Sequence, residues 1–148
     1  MIKKLEDLNT VLKFIVEVYN ETICIEDSIK GRNSFINNYV YGNETYSDFN
    51  SNKEEYFGYY NNILSGVISL SKDGYIKFLF VKKNKHGEGI GKKLLKYVIE
   101  LAKKYKLKRI TLDSSVLNVG FYRKMGFVQI SEQICIDDIW FIPMERKI

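Results

Sequence analysis

Apolar residues recur at helical spacing along several stretches of the chain. The first stretch follows a short predicted strand at residues 2–5 and begins after Asp7, whose carboxylate suits a helix N-cap. Further helices are predicted at 27–41, 89–105 and 116–125, the last ended by Gly126. The apolar stripe of the first helix consists of Leu8, Leu12, Ile15, Val16 and Tyr19, and that of the second of Ile29, Phe35, Ile36, Tyr39 and Val40.

The remaining apolar runs are short and are bounded by turn residues, as in β-strands. Asn61 and Asn62 tolerate positive φ and favour a tight hairpin, and the segment 71–74 ends in Gly74 and favours a second turn. The Asn- and Ser-rich segment 42–53 is predicted to be a loop. Strands are predicted at 56–60, 63–70, 75–81, 109–113, 127–131 and 139–145.

The resulting order is β-α-α-β-β-β-α-β-α-β-β, which predicts an α/β (α+β) fold with a mixed, mostly antiparallel sheet. The strand at 75–81 is nearly apolar throughout, so we expect it to be central. The helix at 89–105 connects this strand to the next one at 109–113, which predicts one parallel pair. With a single proline and no linker, the chain is expected to be one domain, 1–148.

Composition supports a globular, cytoplasmic protein. Apolar residues make up 45% and charged residues 28%, and no apolar run approaches the ~20 residues of a membrane helix. The two cysteines, Cys24 and Cys135, stand among isoleucines, which predicts buried thiols. Because the chain has only one histidine besides them, we expect no metal site.

The net charge of +5 suits a polyanionic partner, and the lysines concentrate at 82–96 and 103–108. Arginine is scarce and no basic helix-turn-helix is evident, so a nucleic-acid partner is not expected. A membrane surface and a phosphorylated cofactor are the other polyanionic partners that this charge would suit.

The most informative segment lies at 81–93, where a strand ends and a helix begins. Gly87, Gly89 and Gly91 expose successive backbone N–H groups, and the helix N-terminus adds partial positive charge, so the turn is suited to a phosphate or pyrophosphate. An ATP-binding loop is excluded because His86 and Lys93 stand where that motif needs glycine and a hydroxyl residue.

Two other interpretations of this turn stay open on the residues alone. A dinucleotide-binding fingerprint lacks its third glycine, because Lys92 occupies that position, although Asp113 could serve as its acidic residue. A glycine-rich turn without any ligand is the other alternative. A second, independent motif is therefore needed to choose between them.

That motif is Phe121-Tyr122-Arg123-Lys124-Met125-Gly126-Phe127. Together with His86-Gly87-Glu88-Gly89-Ile90-Gly91, in this order and spacing, it resembles the GNAT acetyltransferase superfamily, over roughly residues 63–146. The resemblance implies acetyl-CoA as cosubstrate. It implies that the cofactor-binding residues are Leu79, Phe80, Val81, His86, Gly87, Glu88, Gly89, Ile90, Gly91, Lys92, Asn118, Tyr122 and Lys124. His86 departs from the family, which usually has Arg or Gln at that position.

The resemblance also implies a mechanism, in which an amine attacks the acetyl carbonyl directly. A backbone N–H near Val81 would stabilise the oxyanion, and Tyr122 would be the general acid toward the departing thiolate. Asn118 could alternatively be a helix cap.

The acceptor is expected to be a small cationic amine, held between the N-terminal helices and the segment 131–139. Acidic residues in these regions are Glu21, Glu26, Asp27, Glu132, Asp137 and Asp138. A protein amine as acceptor, a non-catalytic acyl-CoA-binding module and a lysine-rich nucleic-acid binder are the alternatives. A homodimer is possible in this fold, although no exposed stripe in the sequence assigns one.

Overall fold

The computed structural model describes residues 1–22 and 27–148 and confirms the mixed α/β fold. The helices are α1 (Leu8–Thr22), α2 (Ile29–Ser34), a π-helix (Phe35–Val40), α3 (Asn43–Asn50), α4 (Ile90–Lys104) and α5 (Val119–Lys124), with 3₁₀ turns at Lys83–Lys85 and Val116–Asn118. The strands are β1 (Ile2–Leu5), β2 (Glu54–Asn61), β3 (Ile63–Ser71), β4 (Tyr75–Ile76), β5 (Leu79–Val81), β6 (Arg109–Ser114), β7 (Val128–Gln129), β8 (Ile134–Ile136) and β9 (Ile139–Lys147). No described helix combines the length and the apolar character that crossing a membrane requires.

The strands form two sheets that meet where β4 is followed by β5. The first sheet has the order β1-β2-β3-β5, and the second has the order β4-β6-β9-β7, with β8 paired to β9. Every described pairing is antiparallel except that of β4 with β6, where Tyr75 lies opposite Thr111 and Ile76 opposite Leu112. The parallel pair predicted on either side of α4 is therefore confirmed.

The strand predicted at 75–81 is broken in the middle, and a buried serine of β3 is the cause. The Ser69 hydroxyl oxygen accepts hydrogen bonds from the backbone N–H groups of Lys77 and Phe78, at 3.1 and 3.0 Å. These two residues therefore leave the regular ladder. The half before the break pairs with β6 and the half after it pairs with β3, so the two sheets separate beyond Ile76.

Two hydrophobic clusters cover opposite faces of the sheets. Helix α4 packs Leu94, Leu95 and Val98 into one cluster, and α1 packs Leu12 and Ile15 into the other. The apolar stripe predicted for the first helix is thus confirmed in its main positions, and α1 and α4 together pack against the separated strands from both sides.

Local turn and cap predictions also hold. Asp7 caps α1, since its carboxylate accepts from the Asn9 N–H at 3.2 Å and from the Thr10 hydroxyl at 2.7 Å. Asn62 adopts φ of 66°, and Gly74 and Gly126 both adopt φ of 87°, the left-handed conformation expected at these turns.

The predicted loop at 42–53 is wrong, because helix α3 lies within it. Its sequence has no strong helical pattern, and tertiary contacts stabilise it instead. Thr45 is fully buried and donates to the Tyr39 carbonyl oxygen at 3.0 Å, and the Phe49 ring lies 6.0 Å from that of Tyr56. Strand β8 is a further element that the sequence pattern does not predict.

Two burial predictions are wrong as well. Ile29 is 74% exposed, because it lies in the first turn of α2 and the following π-helix turns a different face toward the core. Cys135 is exposed, because β8 pairs with β9 alone among the described strands, and Cys135 lies there opposite the exposed Trp140. Cys24 lies outside the described residues.

Candidate active site

A cavity of about 740 Å³ occupies the space where β5 and β6 separate. Its walls come from β4 and β5 on one side and from the end of β6 and the start of α5 on the other. The π-helix and the β8–β9 hairpin cover it. Its aromatic side chains are Tyr19, Phe35, Tyr39, Tyr75, Phe80, Tyr122, Trp140 and Phe141.

Tyr122 lies in α5, and its largely buried side chain lines the cavity. Its side chain is only 8% exposed, and its ring packs at steep angles against those of Phe121 and Phe127. Burial raises the pKa of the Tyr122 phenol above its usual value, so the hydroxyl stays protonated at any physiological pH. Within residues 1–22 and 27–148 this hydroxyl has no hydrogen-bond partner, which leaves it available to a bound molecule.

Ser115 is not identified by any sequence motif, although it lies at the same end of the cavity. Among the described residues, its hydroxyl oxygen is the one buried side-chain polar atom without a hydrogen-bond partner. Such an atom calls for an explanation, since an unmade buried hydrogen bond is costly. Asn118 also lines the cavity, and its side chain does not cap α5, so the alternative interpretation as a helix cap is not supported.

The backbone of β5 presents polar groups to the opening. Lys82 N–H bonds to the Ser65 carbonyl oxygen at 3.0 Å, and because N–H groups alternate in direction along a strand, those of Leu79 and Val81 point away from β3. The Val81 carbonyl oxygen accepts from His86 Nε2 at 2.8 Å. His86 therefore carries its proton on Nε2 and connects the glycine turn to the end of β5.

The glycine turn follows directly and is open to solvent. Gly87 and Gly89 adopt φ of 84° and 78°, and no atom lies within 4 Å of where a Cβ would stand at either position. None of the backbone N–H groups of residues 87–92 has a hydrogen-bond partner in the described part of the chain. Ile90 and Gly91 begin α4, so these N–H groups converge at a helix N-terminus, which is an anion-binding arrangement.

Lys92 and Lys124 lie together beside this turn, in a shallow surface depression separate from the large cavity. Its other charged lining residues are three cationic side chains and one carboxylate: Lys96, Arg146, Lys147 and Glu145. Arg146 also donates to the Met125 carbonyl oxygen at 2.7 Å and so satisfies the C-terminal end of α5.

Three polar side chains that line the same cavity form a chain of hydrogen bonds. The Tyr75 hydroxyl donates to Asp113 Oδ2 at 2.8 Å, and the Tyr39 hydroxyl lies 2.7 Å from that of Tyr75. Burial raises the pKa of both phenols, to about 12 for Tyr39, so both remain donors and Asp113 remains the acceptor. Asp113 follows the last residue of β6 that pairs with β4, at the point where the strands separate.

Of the other acidic residues predicted at the acceptor site, some line the cavity and others do not. Asp27 and Asp137 line the cavity, and the Asp27 carboxylate accepts from the Tyr19 hydroxyl. Glu21, Glu132 and Asp138 do not line it, and Glu26 lies outside the described residues. Groups of His, Cys, Asp and Glu able to hold a metal ion were found nowhere in the described parts of the chain.

Comparison with known proteins gives a consistent result. Residues 17–148 match the family described as acetyltransferase (GNAT) domain. A GCN5-related N-acetyltransferase from Rhodopseudomonas palustris is 17% identical, with a TM-score of 0.80 over 100% of this chain and 95% of that chain. PaiA N-acetyltransferase from Thermoplasma acidophilum, solved in complex with coenzyme A, is 25% identical, with a TM-score of 0.76 over 100% and 98% of the two chains. IAA acetyltransferase from Bacillus cereus is 20% identical, with a TM-score of 0.66 over 100% and 99%. The chain therefore belongs to the GNAT family of acetyltransferases.

Proposed function

We propose that this acetyltransferase is a single catalytic domain, 1–148, that transfers the acetyl group of acetyl-CoA to the primary amine of a small molecule. The observation that carries the proposal is the continuity of three features. Six open N–H groups at 87–92 adjoin β5, the free backbone edge of β5 leads into the cavity, and the cavity is lined by Tyr122 with its unpartnered hydroxyl.

The cosubstrate would bind along this path. The N–H groups of 87–92 suit its pyrophosphate, and the depression with Lys92 and Lys124 suits a further phosphate. The outward-facing groups of Leu79 and Val81 suit the amides of the pantetheine arm, as an added strand would pair with a free edge. The thioester then reaches the cavity beside Phe80 and Asn118.

The transfer requires one new bond and one broken bond. The unprotonated amine nitrogen forms a bond to the acetyl carbonyl carbon, the carbon–sulfur bond breaks, the nitrogen loses one proton, and the thiolate gains one. A backbone N–H of Leu79 or Val81 can donate to the carbonyl oxygen as negative charge develops there. His86 is not suited to be the base, because it is engaged with the Val81 carbonyl oxygen on the glycine turn.

Tyr122 is the proposed general acid. An ordinary phenol has a pKa of about 10 and a thiol one of about 8.5, and burial moves the Tyr122 pKa further upward. Complete proton transfer to the thiolate is therefore uphill, and the hydroxyl acts mainly by donating a hydrogen bond to the developing charge. Ser115, with its unpartnered hydroxyl, is a second donor or acceptor at the same end of the cavity.

The first test is thermal stability with acetyl-CoA, NAD and ATP added separately. A ligand at about 100 times its dissociation constant adds roughly 2.7 kcal/mol to the free energy of unfolding, which raises Tm by about 3–6 °C for a domain of this size. Acetyl-CoA should raise Tm and NAD should not. Stabilisation by NAD alone would mean that the glycine turn belongs to another class of site.

A further inference from the structure

One wall of the cavity is lined mainly by aromatic rings. The Phe35 ring stacks on that of Tyr19 at 4.2 Å and lies 5.5 and 6.1 Å from those of Tyr39 and Phe80. These rings belong to α1, the π-helix and β5, so the apolar surface is contiguous across three elements.

The rim of the cavity is apolar as well. Trp140 is 54% exposed and Ile136 is 56% exposed, and both line the cavity on the β8–β9 hairpin. Large apolar side chains grouped around a cavity mouth indicate that part of the ligand is apolar, since its binding would remove them from water.

A carboxylate lies at the point where β5 and β6 separate. Asp113 directly follows Leu112, the last residue of β6 that pairs with β4, and its Oδ2 accepts from the Tyr75 hydroxyl while no described residue donates to its Oδ1. The other two carboxylates are less suitable. Asp27 lies before α2 and Asp137 lies in the turn between β8 and β9, so neither lies where the strands separate.

Among the described residues that line the cavity, Lys77 is the one cation, and it does not alter this charge pattern. Lys77 donates from Nζ to the Thr45 hydroxyl at 2.8 Å, and its ammonium lies 4.9 Å from the centre of the Tyr39 ring. Thr45 is not part of the cavity lining, so the Lys77 ammonium is committed to α3 rather than to a ligand.

Resting on the proposed function, we infer that the acceptor is a primary amine on an aromatic, hydrophobic body. Its ammonium faces Asp113, and its body contacts Phe35, Tyr39 and Trp140. A polyhydroxylated aminoglycoside would place several hydroxyls against these rings without partners, and each unpaired group lowers affinity. A linear polyamine would leave the aromatic surface incompletely covered.

Trp140 allows binding to be measured without turnover, because it is the only tryptophan of the sequence. With coenzyme A present in place of acetyl-CoA, titration with 2-phenylethylamine should change the Trp140 fluorescence. Its Kd should be at least tenfold lower than those of spermidine and kanamycin. With acetyl-CoA, mass spectrometry should detect N-acetylated 2-phenylethylamine as the preferred product. Mass spectrometry is used instead of a thiol assay for released coenzyme A, because the exposed thiol of Cys135 would also react with thiol reagents.

The charge is tested with two matched variants. Asp113→Asn keeps the shape of the side chain and an acceptor for Tyr75, and it should raise the Kd of 2-phenylethylamine about tenfold or more. Asp137→Asn should change it less than threefold, and asparagine tolerates the φ of 53° at that position. Preference for spermidine or kanamycin, equal effects of the two variants, or no binding of 2-phenylethylamine would overturn the inference. Stabilisation by acetyl-CoA in the thermal test would still support the proposed function.

Discussion

The proposed chemistry depends at the residue scale on one phenol. Tyr122→Phe removes the hydroxyl while keeping the ring that packs on Phe121 and Phe127. We expect kcat to fall about 100-fold, as for the loss of a general acid, with KM for acetyl-CoA within twofold of wild type. Steady-state kinetics with an accepted amine measures both parameters. Tyr97→Phe is the control, because Tyr97 lies on α4 outside the cavity lining, and kcat should not change.

The pH profile gives a separate check on Tyr122. Because burial raises its pKa, the phenol does not lose its proton below pH 10. Any alkaline decline of kcat in that range therefore belongs to another group and should persist in Tyr122→Phe. Loss of such a decline in the variant would contradict the role assigned to the buried phenol.

Residue-scale prediction from the sequence depends on motifs. Tyr122 and Asn118 are recognisable through the segment around them, and both line the cavity. Ser115 and Trp140 stand in no motif, and Asp113 stands out in the sequence only as part of an alternative fingerprint. Their importance arises from the separation of the strands and from the β8–β9 hairpin, which are tertiary features that local pattern does not encode.

At the scale of elements, the break between β4 and β5 opens the cavity. Ser69→Ala removes the acceptor of two backbone N–H groups, so the free energy of unfolding should fall by about 2 kcal/mol or more. Ser65→Ala is the matched control in the same strand, because Ser65 is equally buried but makes one short-range bond, to the Ile63 carbonyl oxygen. Ser65→Ala should lower the free energy of unfolding by about 1 kcal/mol, as measured by urea denaturation. Equal losses would contradict the role of Ser69 in the break.

A buried carboxylate of β2 provides a second test at this scale. Glu54 is 5% exposed and accepts from the Tyr56 hydroxyl at 2.6 Å. Burial raises its pKa, although Tyr56 and Lys77 oppose the rise. The folded state therefore binds this proton more tightly than the unfolded state, and wild type loses stability as pH rises from about 4.5 through the folded pKa.

Glu54→Gln removes that titration. The difference in free energy of unfolding, variant minus wild type, should increase with pH through this window and then stay constant. Denaturation series from pH 4 to 8 measure it. A difference that is independent of pH would show that Glu54 titrates alike in the folded and unfolded states.

The elements themselves are predictable to different degrees. Helices α1 and α4 carry long apolar stripes, and the turn at Gly89 precedes a helix, so local sequence suffices for them. The break in 75–81 is not predictable, because those residues are nearly all apolar and the cause, Ser69, lies in the neighbouring strand. Helix α3 escapes prediction for a similar reason, since contacts to β2 stabilise it rather than its own pattern.

At the scale of the whole molecule, positive charges outnumber negative charges and are unevenly distributed. The net charge is +5, and the depression beside the glycine turn gathers five cationic side chains with one carboxylate. Coenzyme A is an anion with phosphates at two positions, so its affinity should fall as salt screens these charges.

The double variant Lys92→Gln and Lys124→Gln should raise the Kd of coenzyme A about tenfold at low salt. The difference from wild type should shrink markedly at about 0.5 M NaCl, where the Debye length is only about 4 Å. Calorimetric titration measures both. The control, Lys13→Gln with Lys72→Gln, has the same net charge but changes exposed lysines of other surfaces, and it should bind like wild type. If both double variants bound coenzyme A equally weakly, the effect would be due to net charge alone.

The π-helix that supplies Phe35 and Tyr39 amounts to one inserted residue in an otherwise α-helical turn. The Tyr41 N–H reaches back to the Ile36 carbonyl oxygen instead of the one four residues earlier. Deleting a single codon here, that of Asn37 for example, would restore an α-helix and rotate Phe35 by about 100° relative to the C-terminal half of the helix. The aromatic lining would then be exchanged for another while the sheets and the glycine turn stayed intact. Under the proposed function, deletion of one residue, rather than a substitution, would therefore change which acceptor the cavity binds.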